Sequence, residues 1–171
     1  MSPISIESLA ILIESGIPPQ TFDATMATKR PNCPVSDELE SSYRRAVYVV
    51  MEDSSELTFS IDAVSPDLEG LLRRQGAASA CFITAANPAS VLQSAAQNTQ
   101  AQEMLAETVG TLGYKWIAGV ARDADGTWPD EVSMLVLDIR PEAALAVVRR
   151  FGQLAVVWID QSGMPSLHWT K

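Results

Sequence analysis

From Ala46 onward the apolar residues of this chain repeat one order of periodicities: two strand-like runs, a helical stretch, then a further strand-like run. "AVYVVM" and "LTFSI" flank the polar turn "EDSSE" and predict a hairpin. "SPDLEGLLRRQG" predicts a helix, with Ser65 as cap, Pro66 at the first helical position, Leu68, Leu71 and Leu72 on one face, and Gly76 just past the end. "SACFIT" is the next strand. The order then recurs: "KWIAGVA" and "VSMLVLDI" around the loop "RDADGTWPDE", the helix "PEAALAVVRRFG", and the strand "LAVVWI". Between the two sets, a long helix is expected from about Pro88 to Thr111. Hairpins and single strands in this order must share a sheet with helices packed on it. The expected fold is therefore α/β (α+β), a mixed sheet of about six strands with helices packed on it, forming one domain over residues 46–171.

The two sets also share letters. "LLRRQGAASACFIT" (71–84) and "VVRRFGQLAVVWID" (147–160) align without a gap and have in common the arginine pair, the glycine and an isoleucine. Two related hairpin-helix-strand halves would leave this trace, and so would two helix-to-strand turns under like constraints. Residues 1–45 are different. Ile6, Leu9 and Ile13 fit a short amphipathic helix, "GIPPQTFDATMATKRPNCP" is rich in breakers, and Ser36 is placed to cap a helix running into Tyr43. An N-terminal helix and irregular arm is expected there.

Twelve Lys and Arg against 21 Asp and Glu give a formal charge of −9, which argues against nucleic acid and anionic membranes as partners. The longest N-terminal apolar run, "LAILI", is too short to span a bilayer and lacks the basic flank of a signal peptide, so a cytoplasmic location is expected. Cys81 lies in an apolar run, Cys33 in a loop, and the single histidine is His168, so no disulfide framework or zinc site is expected. "DADG" reads as a turn, because the twelfth position of a calcium-loop register would be Val132. No phosphate loop, nucleophile elbow or cofactor motif is present in the sequence, so no metal and no cofactor is expected.

The apolar run "CFIT" breaks into "AANPAS", and topology says where these polar residues go. A strand, helix, strand crossover returns the chain in the same direction. The end of "CFIT", the end of "KWIAGVA", the start of "VSMLVLDI" and the start of the last strand should then share one edge. That edge collects Thr84, Asn87, Ser90, Arg122, Trp128, Glu131, Ser133 and Gln153. Asn87 before Pro88 reads as a helix cap, leaving free backbone N–H groups aimed at the same edge. Asn98 and Gln102 interrupt the apolar stripe Val91, Ala95, Leu105 and Val109 and so need partners. Glu131 is the candidate catalytic acid or base, with an ion pair to Arg122 as the alternative.

The ordered set "FITAANPAS", Asn98, "GTWPDEVSMLVL" and "FGQLAVVW" resembles a bacterial family called domain of unknown function 3293, over roughly residues 43–160. Thr84, Asn87, Pro88, Asn98, Trp128, Glu131, Ser133 and Gln153 fall on its motif places, and Ala86 departs from an often aromatic one. The resemblance implies a bacterial source and no activity. The leading expectation is a site for a small polar or nucleotide-like ligand at the sheet edge, built from Thr84, Asn87, Asn98, Glu131, Ser133 and Gln153. The alternative is a protein-protein interaction module, as a homodimer or with another protein, whose polar cluster is structural.

Overall fold

The computed structural model describes residues 36–52 and 55–170. The expected helix around Ile6–Ile13, the irregular arm up to residue 35 and Cys33 lie outside them. Four α-helices and seven strands follow in the order α1 (Asp37–Arg45), β1 (Val47–Glu52), β2 (Ser55–Phe59), α2 (Pro66–Gln75), β3 (Ala80–Ile83), α3 (Ala95–Thr111), β4 (Trp116–Arg122), β5 (Glu131–Leu137), α4 (Pro141–Arg149), β6 (Ala155–Ile159) and β7 (Pro165–Trp169).

The strands form one sheet in the order β2-β1-β4-β5-β3-β6-β7, and every neighbouring pair is antiparallel. The α/β class is as expected, but the sheet is antiparallel where a mixed one was expected, and β7 adds a strand. β2 and β3 do run the same way across the α2 crossover, yet β1, β4 and β5 are inserted between them, so no parallel pair forms. "PSLHW" had too little apolar alternation to read as a strand. It forms one because the Asp160 carboxylate accepts from the Ser162 and Met164 backbone N–H groups and closes a tight turn after β6.

Strand side chains alternate between two cores. Tyr48, Val50, Leu57, Phe59, Phe82, Leu135 and Val157 face one side, where α2 buries Leu68, Leu71 and Leu72 against them. Cys81, Ile83, Met134, Val136 and Val156 face the other, under Leu105 and Val109 of α3 and Ala144, Val147 and Val148 of α4. Complete burial of a leucine side chain contributes about 1.5–3 kcal/mol, so α2 is fixed chiefly by its three leucines. The α1 helix, capped by Ser36 Oγ on Leu39 N–H, lies on the first side and brings Tyr43 against that core. Tyr43 also meets the Trp169 ring edge-on at 5.3 Å.

Candidate functional site

The long helix does not begin at Pro88. α3 starts at Ala95 behind Ser94, whose hydroxyl accepts from Gln97 N–H while the Gln97 side chain accepts from Ser94 N–H. Residues 88–90 form a separate single turn. Asn87 is therefore not a cap; it has φ 47°, and Ala89 and Ser90 are left-handed too, at 54° and 57°. Such a conformation costs a non-glycine residue about 1–3 kcal/mol and persists only where the surroundings enforce it. Here Ala89 N–H donates to Gly152 O at 2.9 Å, and Gln93 N–H donates to Asn87 Oδ1 at 3.0 Å.

Of the backbone N–H groups expected to be free after Asn87, that of Ala89 donates to Gly152 O and that of Val91 to Pro88 O. Ala85 donates to Gln102 Oε1, Ala86 to Thr84 Oγ1 and Asn87 to Asn98 Oδ1, at 2.9–3.0 Å. Asn98 and Gln102, the polar residues on the inward face of α3, thus find partners for their side-chain oxygens, while Gln102 Nε2 is buried with no partner among the described residues. Gln153 Nε2 donates to Ala86 O at 2.6 Å from a buried position. The turn after β3 is held from three directions.

This rigid turn presents Asn87 to Glu131. Asn87 Nδ2 donates to Glu131 Oε1 at 2.7 Å, and Trp128 Nε1 donates to the same oxygen at 2.9 Å. Glu131 Oε2 takes no hydrogen bond among the described residues. The loop carrying Trp128 is closed by Asp123, whose carboxylate accepts from Thr127 N–H, Thr127 Oγ1 and Trp128 N–H; the Thr127 bonds chiefly hold its pKa below the usual value. Arg122 does not pair with Glu131. Its guanidinium reaches Glu56 and Asp130, each at 3.4 Å.

A cavity of about 420 Å³ opens on the α1 side of the sheet. Thr84, Asn87, Ser90, Arg122, Trp128, Glu131, Ser133 and Gln153 all line it. Asn98 does not; it stands behind Asn87 and lines a groove on the opposite face. The polar hydrogens of Thr84 and Ser133 are already engaged, on the carbonyls of Val132 and Glu131. Tyr48 and Phe82 supply an apolar floor, and α1 supplies a wall with Ser42, Tyr43 and Arg45. Sequence reasoning missed that wall and the two tyrosines. Tyr43 reaches Ser90, and burial followed by the charge of Glu131 pushes its phenol up to about 12, with the Ser90 hydrogen bond acting against them. Burial and the charges of Tyr43 and Glu131 raise Tyr48 as well. The only sequence signal was Tyr43 on the helix that Ser36 caps.

Residues 83–156 match the family model described as protein of unknown function (DUF3293). This stretch is similar to that family. The matched stretch runs from the end of β3 to the start of β6 and carries all of the sequence-derived site residues, while Tyr43 and Tyr48 precede it. No curated protein and no solved structure matches the chain. Among the described residues, no helix is long and apolar enough to cross a membrane, and no group of three or more His, Cys, Asp or Glu is placed to hold a metal.

Chemically, the arrangement offers a carboxylate with one oxygen fixed by two neutral donors and the other available. Such a group accepts hydrogen bonds from a bound molecule or exchanges a proton with it.

Proposed function

We propose that the domain binds a small polar molecule in the cavity between α1 and the sheet edge, with Glu131 as its principal anchor and the candidate acid or base if the ligand is turned over. The observation that carries this reading is the Asn87–Glu131–Trp128 node, which orients a carboxylate beside a cavity without neutralising it. With the Ala85, Ala86, Asn87 and Ala89 N–H groups occupied, the amine-bearing or base-like part of a nucleotide-like ligand fits this wall better than its phosphate does. Native mass spectrometry of gently purified protein tests the reading. A mass excess that Glu131→Gln removes is expected; a clean apo mass under conditions that retain weak ligands contradicts it.

A second reading, contact with another copy of the chain, draws on Trp116 and Val132, which are exposed and line the groove between α3 and the β4–β5 hairpin, and on Val91 and Leu92, which are exposed in the segment leading into α3. The same spectra report it. A dimer that Trp116→Glu dissociates favours it, and a monomer at all concentrations contradicts it.

A further inference from the structure

The charge around the cavity is unbalanced in a consistent way. Among the described residues, four carboxylates line it, Glu38, Asp123, Asp125 and Glu131, against two guanidinium groups, Arg45 and Arg122. Both arginines already have acidic partners: Arg45 lies 3.6 Å from Asp125, and Arg122 lies between Glu56 and Asp130. Glu131 has no cationic partner among the described residues, and the two groups on its Oε1 are neutral donors. Neutral donors orient a carboxylate and spread its charge, but they do not cancel it. In a half-buried position that charge is poorly screened by water, so it acts strongly on whatever enters.

The neighbours of Glu131 match the same sign. Tyr43, Tyr48, Phe82 and Trp128 line the cavity, and aromatic faces attract cations through their quadrupole while offering nothing to an anion. An anionic ligand would face Glu131 beside a turn whose Ala85, Ala86, Asn87 and Ala89 N–H groups already donate within the protein. A neutral ligand would satisfy Oε2 and leave the carboxylate uncompensated.

We infer that the ligand is an organic cation, an ammonium or amidinium group on a small apolar body, whose N–H donors meet Glu131 Oε2 while the body lies among the cavity's aromatic rings. This inference rests on the pocket reading above and adds the ligand's charge to it.

Three planar probes of nearly equal shape test it: benzamidine, a cation; benzamide, neutral; and benzoate, an anion. Isothermal titration of each into the full chain is expected to show benzamidine binding about tenfold or more tighter than benzamide, the difference being a charged hydrogen bond and a cation–π contact. Benzoate should give no binding heat. Glu131→Gln, which keeps an acceptor for Asn87 and Trp128, should bring benzamidine down to the level of benzamide at an unchanged melting temperature. If that variant unfolds, the ranking of the three probes on the unaltered chain still decides the matter. Benzamide binding as tightly as benzamidine, or benzoate binding in its place, overturns the cation while leaving the pocket standing. Silence from all three also overturns it, and the retained mass in the native spectrum then judges the pocket separately.

Discussion

The two echoed segments fold into the same turn and do different things with it. Gly76 and Gly152 have φ values of 66° and 68°. Gly76 N–H donates to Arg73 O and Ala77 N–H to Leu72 O; at the matching positions Gly152 N–H donates to Arg149 O and Gln153 N–H to Val148 O. A residue at the end of each following strand then accepts from the N–H two positions on, Thr84 from Ala86 and Asp160 from Ser162. Here the likeness stops. An added Cβ at Gly76 would meet nothing, whereas one at Gly152 would lie 3.0 Å from Pro88 Cβ. Ala77 is a small core residue where Gln153 reaches across to Ala86 O. The helices also sit on opposite faces of the sheet: Ala80 and Phe82 point towards the α2 core, and the matching Val156 and Trp158 point towards the α4 core. Local sequence repeats a turn; what the turn touches decides whether it builds a site.

The largest expected effect lies where the second turn meets the site. Asn87→Ala removes the side-chain bonds to Glu131, Gln93 and Asn98 at a buried, left-handed position and should cost about 3 kcal/mol or more in urea denaturation. A loss below about 1 kcal/mol would mean that the node is ornamental to folding. Gln153→Ala leaves Ala86 O buried without its partner and should cost about 2–3 kcal/mol, with no counterpart on the Gly76 side.

The glycine pair tests the comparison directly. Gly76→Ala should cost about 1 kcal/mol for its backbone alone. Gly152→Ala should cost about twice that, because Pro88 must move as well. Equal losses would show that Pro88 yields freely and that the two turns are equivalent. On the Gly76 side, Asp138→Ala removes the 2.7 Å cap on Ala78 N–H in an exposed place and should cost at most about 1 kcal/mol, with benzamidine affinity unchanged.

The smallest effect near neutrality concerns Tyr43, whose hydroxyl meets Ser90 on the site side. Its folded pKa of about 12 lies above the ordinary 10.0, so the folded state holds the proton more tightly. That stabilisation is complete below pH 10 and is lost as pH rises from 10 towards 12. Tyr43→Phe should therefore make the alkaline fall in stability shallower while Tyr48 still contributes. An identical slope in the variant would place the alkaline loss elsewhere.

Periodicity made most strands and helices legible because burial on one face imposes it directly. The edge assignment was legible too, since strand directions follow from hairpins and crossovers before any contact is known. The α3 start was not: Asn87-Pro88 satisfies the local rules for a helix entry, yet the hydrogen bonds from Gln93 N–H and to Glu131 hold Asn87 in a left-handed conformation that no helix entry uses. Nor was the fate of Arg122, because Glu56 lies 66 positions away and becomes a neighbour only through the β1–β4 and β1–β2 pairings.

By itself the sequence determined the periodic elements, the acidic balance and the set of polar residues that share one sheet edge, all consequences of spacing and strand direction. Only the tertiary structure decided that Asn98 stands behind the site rather than in it, that α1 closes the cavity with Tyr43, and that Glu131 faces it with no cationic partner among the described residues. Those facts depend on distances between side chains from remote positions, which no local rule encodes.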